Sequence, residues 1–170
     1  MNKIRDDMPE NVKQFFTKLS HYLDTPLYFY GSVTRSDYVH GQSDIDVGIF
    51  TDNEYSTMSK LQHFLKVKKN DFEKLVWKLN GNMLYGFKIK CDKHNMNCEI
   101  AIYNERYKDI LLPEFRKNTI VPWYALFLLY ILKTFYYSIP LIPKKTYSKL
   151  KRLIFNELIE KKESAFLVLK

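Results

Sequence analysis

Residues 28–50 read YFYGSVTRSDYVHGQSDIDVGIF, and the fold turns on how this stretch is parsed. Leu27 to Tyr30 is a short apolar run that Gly31 and Ser32 break. Asp44 to Phe50 then alternates, with Ile45, Val47 and Ile49 on one face of a strand. Side chains two apart on a strand point the same way, so Asp44 and Asp46 share the other face. Their Cα atoms lie roughly 6.6 Å apart, from about 3.3 Å of rise per residue. Two such carboxylates in an apolar strand repel each other, and burial raises a pKa. A hard divalent cation removes that cost. Mg²⁺ takes oxygen ligands and is bound by one or two carboxylates together with substrate phosphates. Two ions about 3.5–4 Å apart clamp the attacking and leaving oxygens of an in-line displacement. A third acid on a neighbouring strand would complete the pair of sites, and Glu99 in the alternating run CEIAIY is the candidate. Asp92, at the end of the preceding strand, is the fallback.

Gly31 lets the backbone approach a ligand closely. Ser32 begins a turn whose N–H groups and hydroxyl can meet a phosphate. Arg35 lies in the same segment and could reach a phosphate or pin the loop.

Outward from this stretch, Met8 to Leu23 carries Val12, Phe15, Phe16, Leu19 and Leu23 at helical spacing. Val33 to Tyr38 reads as a short helix and Val39 to Ser43 as a loop. Helices are expected over Glu54–Val67 and Asp71–Leu79, the second started by Asn70 and stopped by Asn80-Gly81. Met83–Cys91 and Asn97–Tyr103 read as strands joined by a polar loop. Pro122 to Tyr137 is apolar except for Lys133 and Thr134, the texture of a buried helix or an oligomer interface. It is shorter than the ~20 residues that span a bilayer, so a membrane anchor is the lesser reading. Thr146 to Lys162 follows as a basic amphipathic helix with Leu150, Leu153, Ile154, Leu158 and Ile159 on its apolar side. The expected class is α/β (α+β): a small mixed, twisted sheet with helices on one side, then a short helical C-terminal part. Residues 1–118 form the expected catalytic-type domain and 119–170 the helical segment.

The chain of 170 residues carries 27 Lys and Arg against 19 Asp and Glu, a formal charge of +8. Such a surface attracts phosphates on nucleotides or nucleic acid. The Lys66-Lys68-Lys69 and Lys144-Lys145 clusters read as solvated faces that could also track a nucleic-acid backbone. His21, His40, His63 and His94 are scattered singly and read as surface or packing residues. Two cysteines, Cys91 and Cys98, make no disulfide framework. A zinc site with His94 lacks four good ligands, and free thiols in a reducing cytoplasm are the better reading. The first ten residues, MNKIRDDMPE, have no apolar core of a signal peptide.

The 28–50 segment resembles the signature of the nucleotidyltransferase superfamily, which includes DNA polymerase β and poly(A) polymerases. That signature is an apolar residue, Gly, Gly or Ser, a gap, then Asp-apolar-Asp/Glu-apolar. Here it reads Tyr30-Gly31-Ser32, then residues 33–43, then Asp44-Ile45-Asp46-Val47, with Ser43 before the first acid. The resemblance covers about Leu27 to Tyr103. It implies that Gly31, Ser32, Arg35 and Ser43 bind the nucleotide triphosphate. It implies that Asp44, Asp46 and Glu99 hold two Mg²⁺ ions, with Mn²⁺ as a substitute, and that Glu99 helps activate the acceptor hydroxyl. Two departures stand out: Arg35 is followed by Ser36 where many relatives have Gly, and the third acid is Glu where Asp is commoner. The expected reaction moves a nucleoside monophosphate from an NTP to a hydroxyl of a nucleic acid 3′ end, a small molecule or a protein. The alternative is a non-catalytic nucleotide- or nucleic-acid-binding module, or an antitoxin-like partner, on the same fold.

Overall fold

The computed structural model describes residues 4–93, 96–117, 121–137, 142–158 and 166–169. Helix α1, Glu10–Leu23, buries the five apolar residues that set its period. Asp24 ends it in the left-handed region (φ 51°), its N–H returning to the last turn. Strand β1, Tyr28–Tyr30, gives way to a 3₁₀ turn at Gly31–Thr34, so the expected helix over 33–38 is a single tight turn that starts two residues earlier. Strand β2, Ile45–Thr51, leads to helix α2, Glu54–Leu65. The Asn53 side chain caps α2 by accepting from the Ser56 N–H, which satisfies one of the donors orphaned at a helix start.

Strands β3 (Glu73–Leu79), β4 (Asn82–Lys93) and β5 (Met96–Asn104) follow as an antiparallel meander. The helix expected over 71–79 is therefore strand β3. Phe72, Leu75, Val76 and Leu79 satisfy a helical period, but Leu75 to Trp77 are all buried, which a strand lying between two neighbours allows. Helices α3 (Lys108–Lys117), α4 (Trp123–Tyr137) and α5 (Lys144–Leu158) come next. Strand β6, Phe166–Leu169, then returns to pair with β3, so the C-terminal part is not helical throughout. Residues 159–162 of the helix expected to reach Lys162 lie outside the described residues, as does His94.

The six strands form one mixed sheet in the order β1-β2-β5-β4-β3-β6. Among the described residues only β2 and β5 run parallel. The architecture is the α/β class read from the sequence. One sheet face, with Ile45, Val47, Ile49, Ile100 and Ile102, packs under α1 and α2. The other face carries Phe50, Leu75, Trp77, Leu84 and Tyr103 under α3, so helices cover both faces, not one. At Gly48, an added Cβ would stand 2.7 Å from the Phe115 ring, and the missing side chain lets α3 settle on the strand. Phe115 also stacks on Tyr30 at 4.1 Å. Cys91 and Cys98 sit opposite one another on β4 and β5 as buried free thiols.

Helix α4 buries one stripe, Ala125, Leu129, Leu132 and Lys133. Trp123, Phe127 and Tyr130 on its other sides are exposed. The all-round burial suggested by its composition does not occur; α5 packs along α4, and Lys133 meets Asp37 in the loop ahead of β2. No helix among the described residues is long and apolar enough to cross a membrane.

Candidate active site

Parallel pairing of β2 with β5 sets Asp46 directly beside Glu99, and antiparallel pairing of β1 sets Tyr30 on its other side. Paired residues share a sheet face, so the row Tyr30–Asp46–Glu99 looks one way, with neighbouring strands about 4.8 Å apart. Asp44 stands exposed one step before β2 begins. These residues, together with Gly31, Ser32, Arg35 and Ser43, line a cleft of about 380 Å³. All seven residues singled out in the sequence therefore meet in one place.

Gly31 adopts φ +71°, and a Cβ there would lie 2.2 Å from Asp46 Oδ2. The turn is thus built around the Asp46 carboxylate, and no other residue type leaves room for it. Burial is the main cause that pushes Asp46 up to about 7, with the Glu99 charge next and Asp44 adding to it, while Lys151 and Arg35 pull the other way. Lys88 Nζ lies 3.3 Å and Lys90 Nζ 3.7 Å from the Glu99 carboxylate. Half-buried Tyr30 and buried Tyr103 flank the acids, and desolvation raises both phenols.

Arg35 and Ser43 face the cleft from within its wall. Arg35 Nε donates to Asp37 Oδ1 at 2.7 Å, with a second contact to Oδ2 at 3.1 Å. Lys133 Nζ donates to the Asp37 carbonyl at 2.7 Å and to Ser43 Oγ at 3.2 Å, and it pairs with Asp37 Oδ2 at 3.0 Å. Ser43 Oγ also accepts from the Val39 N–H. Arg35, Asp37 and Lys133 are all buried. Burial pulls the Asp37 carboxyl upward, but the Arg35 hydrogen bond and the two cations outweigh it and hold it below the usual carboxylate range. Desolvation lowers Lys133 despite Asp37. A buried charge pair demands such dense partnering, because each unpaired ion would cost several kcal/mol.

Sequence reasoning missed Asp37, and it missed the cleft's far wall. Tyr137 from α4 and Tyr147, Lys151 and Phe155 from α5 complete the lining. The one available signal was Lys133, a charge in an otherwise apolar helix, which cannot be buried without a carboxylate to meet it.

The donors at the cleft floor are hard carboxylate oxygens, the chemistry that Mg²⁺ or Mn²⁺ prefers. An Asp held near neutral pKa by burial and a neighbouring acid gains most from an added cation. As they stand, the acids do not close into a ready cage: among the described residues no group of three or more His, Cys, Asp or Glu could hold a metal ion. Asp44, Asp46 and Glu99 are the residues that could hold such a cation, were Glu99 to leave Lys88 and Lys90.

A model of the nucleotidyltransferase domain matches residues 9–121. No curated protein matches the chain. Among solved structures, one from a GLD-2/RNP-8 complex is similar at 12% identity and a TM-score of 0.41, over 84% of this chain and 52% of that one. The chain thus spans about half the length of that structure. The family match takes in the Gly31-Ser32 turn, both aspartates, Glu99 and strands β1 to β5, and stops short of α4 and Lys133. On that match, the chain belongs to the nucleotidyltransferase domain family.

Proposed function

We propose that this protein transfers a nucleoside monophosphate from an NTP to an acceptor hydroxyl, with a divalent cation, and releases pyrophosphate. The supporting observation is that Asp46 and Glu99 on adjacent strands, with Asp44 one step before β2, line one cleft with the Gly31-Ser32 turn. In this reading the acceptor oxygen attacks the α-phosphorus, one P–O bond forms, and the α–β P–O bond breaks in line. Ser32 and the Gly31 backbone hold the β- and γ-phosphates. Asp44 and Asp46 would hold both ions, and Glu99 would share the one nearer the acceptor. Bound Mg²⁺ supplies charge neutralisation to the triphosphate and acidity to the acceptor hydroxyl. Glu99 receives or orients the proton leaving that hydroxyl. Tyr137 and Tyr147 contribute to the wall of the cleft. Catalysis is positioning and electrostatics, so removing one carboxylate raises the barrier by about 3 kcal/mol or more.

The test is incubation with each labelled NTP, Mg²⁺ or Mn²⁺, and RNA, DNA and protein acceptors. Transfer by the native chain and its loss in an Asp46→Asn variant that still melts cooperatively as a folded protein supports the reading. Equal turnover by both refutes the site. The Lys88 and Lys90 contacts to Glu99 favour one second reading, a domain that binds nucleotide without reacting it. Mg²⁺-dependent NTP binding without pyrophosphate release would select that reading.

A further inference from the structure

Asp44 reaches the cleft without support from the sheet. Ladder pairing of β2 with β5 starts at Ile45 opposite Cys98, so the acid stands at the end of the loop that leads in from the Gly31-Ser32 turn. That loop is fastened just before it. The Val39 carbonyl accepts from the Gln42 N–H at 3.2 Å and from the Ser43 N–H at 2.9 Å. Ser43 Oγ accepts from the Val39 N–H at 3.2 Å. Residues 39–43 thus close into a small ring on Ser43, which is 4% exposed although Asp44 beside it is open to solvent.

Lys133 joins that ring to the start of the loop. An ammonium group has three N–H donors and no acceptor. Three oxygens surround Nζ: the Asp37 carbonyl at 2.7 Å, Asp37 Oδ2 at 3.0 Å and Ser43 Oγ at 3.2 Å. Asp37 in turn takes the Arg35 guanidinium, and the Arg35 N–H donates to the Ser32 carbonyl at 3.0 Å. One chain of contacts therefore runs Ser32, Arg35, Asp37, Lys133, Ser43 and ends against Asp44. Tyr137, one turn further along α4, hydrogen-bonds Ser43 from the same side. With 2% of its surface exposed and an oxygen for each N–H, Lys133 holds the loop and has no donor to spare for a substrate phosphate.

We propose that Lys133 is a positioning residue for Asp44: by gripping Asp37 and Ser43 at the two ends of the 37–43 loop, it fixes where the first acid stands relative to the Gly31-Ser32 turn. The role rests on the proposed cation site for its purpose, but the tie itself is read without any ligand. A reacting group misplaced by about 1 Å can cost about a hundredfold in rate, so a loop that ends in a ligating acid gains from being tied at both ends. The family match stops at residue 121, ahead of Lys133. Helix α4 therefore completes, from outside that match, a site whose acids all lie inside it.

The experiment uses the full chain and two readouts. Amide hydrogen exchange without ligand reports the loop, and the EPR signal of free Mn²⁺ in the presence of ATP reports the cation site. In Lys133→Met the Gln42 and Ser43 amides should exchange about tenfold faster or more, beyond any change at the β5 amides. Mn²⁺ affinity should fall by about tenfold or more. Ser43→Ala, which keeps the charges of Asp37 and Lys133, should move both readouts the same way, and it carries the test if Lys133→Met does not melt cooperatively. Because the two side chains act through one contact, the double variant should lose less Mn²⁺ affinity than the two single losses combined. Lys149→Met removes the same charge from an exposed position of α5 and should change neither readout. Unchanged Gln42 and Ser43 exchange in folded Lys133→Met, or fully additive losses of Mn²⁺ affinity as expected of a direct phosphate ligand, overturn the assignment. Faster loop exchange in Lys133→Met, with no Mn²⁺ bound by the native chain, would sink the cation site and leave the tie between Lys133 and the loop standing.

Discussion

At Asp46, burial and then the charge of Glu99 favour the protonated carboxyl and push its pKa up to about 7. The consequence for stability has a definite sign. Between the ordinary carboxylate pKa near 4 and about 7, the unfolded chain gives up this proton while the folded chain keeps it. Folding stability from this group is therefore full below about pH 4, declines as pH rises towards 7, and is flat above. In EDTA the melting temperature should carry that decline, and Asp46→Asn, which cannot ionise, should flatten it across the same window. A melting profile of the variant parallel to the native one would place the titration elsewhere. Gly31 makes a second residue-level case. Gly31→Ala meets both a φ of +71° and the Asp46 carboxylate at 2.2 Å. Strain at such a position costs about 1–3 kcal/mol, measurable by urea unfolding. NMP transfer should fall at least a hundredfold, because the acid itself is displaced. The raised carboxyl was legible in two acids spaced by one, whereas Gly31 was read as admitting a ligand and in fact makes room for Asp46, a contact between β2 and the turn that no local spacing announces.

Among the elements, β3 was illegible and β2 was plain, for one physical reason. Strand β2 declares itself by alternation, since one face meets α1 and α2 and the other meets the cleft. Strand β3 lies between β4 and β6, and its local pattern fits a helix equally well. The choice is made by pairing partners outside any local window. Helix α4 makes the same point in another way. Its Lys133 is buried because it meets Asp37, 96 residues earlier in the chain. Lys133→Met leaves Asp37 with Arg35 but removes the charge from Ser43 and the loop leading to Asp44. We expect a loss of about 3 kcal/mol in urea unfolding, the lower end for breaking a buried pair. Lys133→Met combined with Asp37→Asn should lose less than the sum of the two single changes. Strict additivity would show that the two residues do not act as a pair.

Across the whole molecule, the nucleotidyltransferase half and the α4–α5 wall stand in different relations to the sequence. The half from Leu27 to Tyr103 carries its chemistry at fixed local spacings, so its acids could be named before any coordinates. The wall built by Tyr137, Tyr147, Lys151 and Phe155 reaches the cleft only through the packing of α4 on α5, and no local spacing announces it. The charge of +8 acts at this scale too, drawing phosphates towards a cleft whose floor is acidic. In the proposed reading, cations that travel with the nucleotide resolve that opposition. The central claim is therefore a joint site for a divalent ion and an NTP on Asp44, Asp46 and Glu99. The most direct measurement is thermal melting of the native chain and of Asp44→Asn, each alone, with Mg²⁺, with NTP, and with both. At a hundredfold excess over Kd, ligand binding adds about 2.7 kcal/mol, which for a chain of this size raises Tm by roughly 5–10 °C. That rise is expected for the native protein only when Mg²⁺ and NTP are present together, and none is expected for Asp44→Asn. An equal rise in the variant, or none in the native protein, would contradict the joint site.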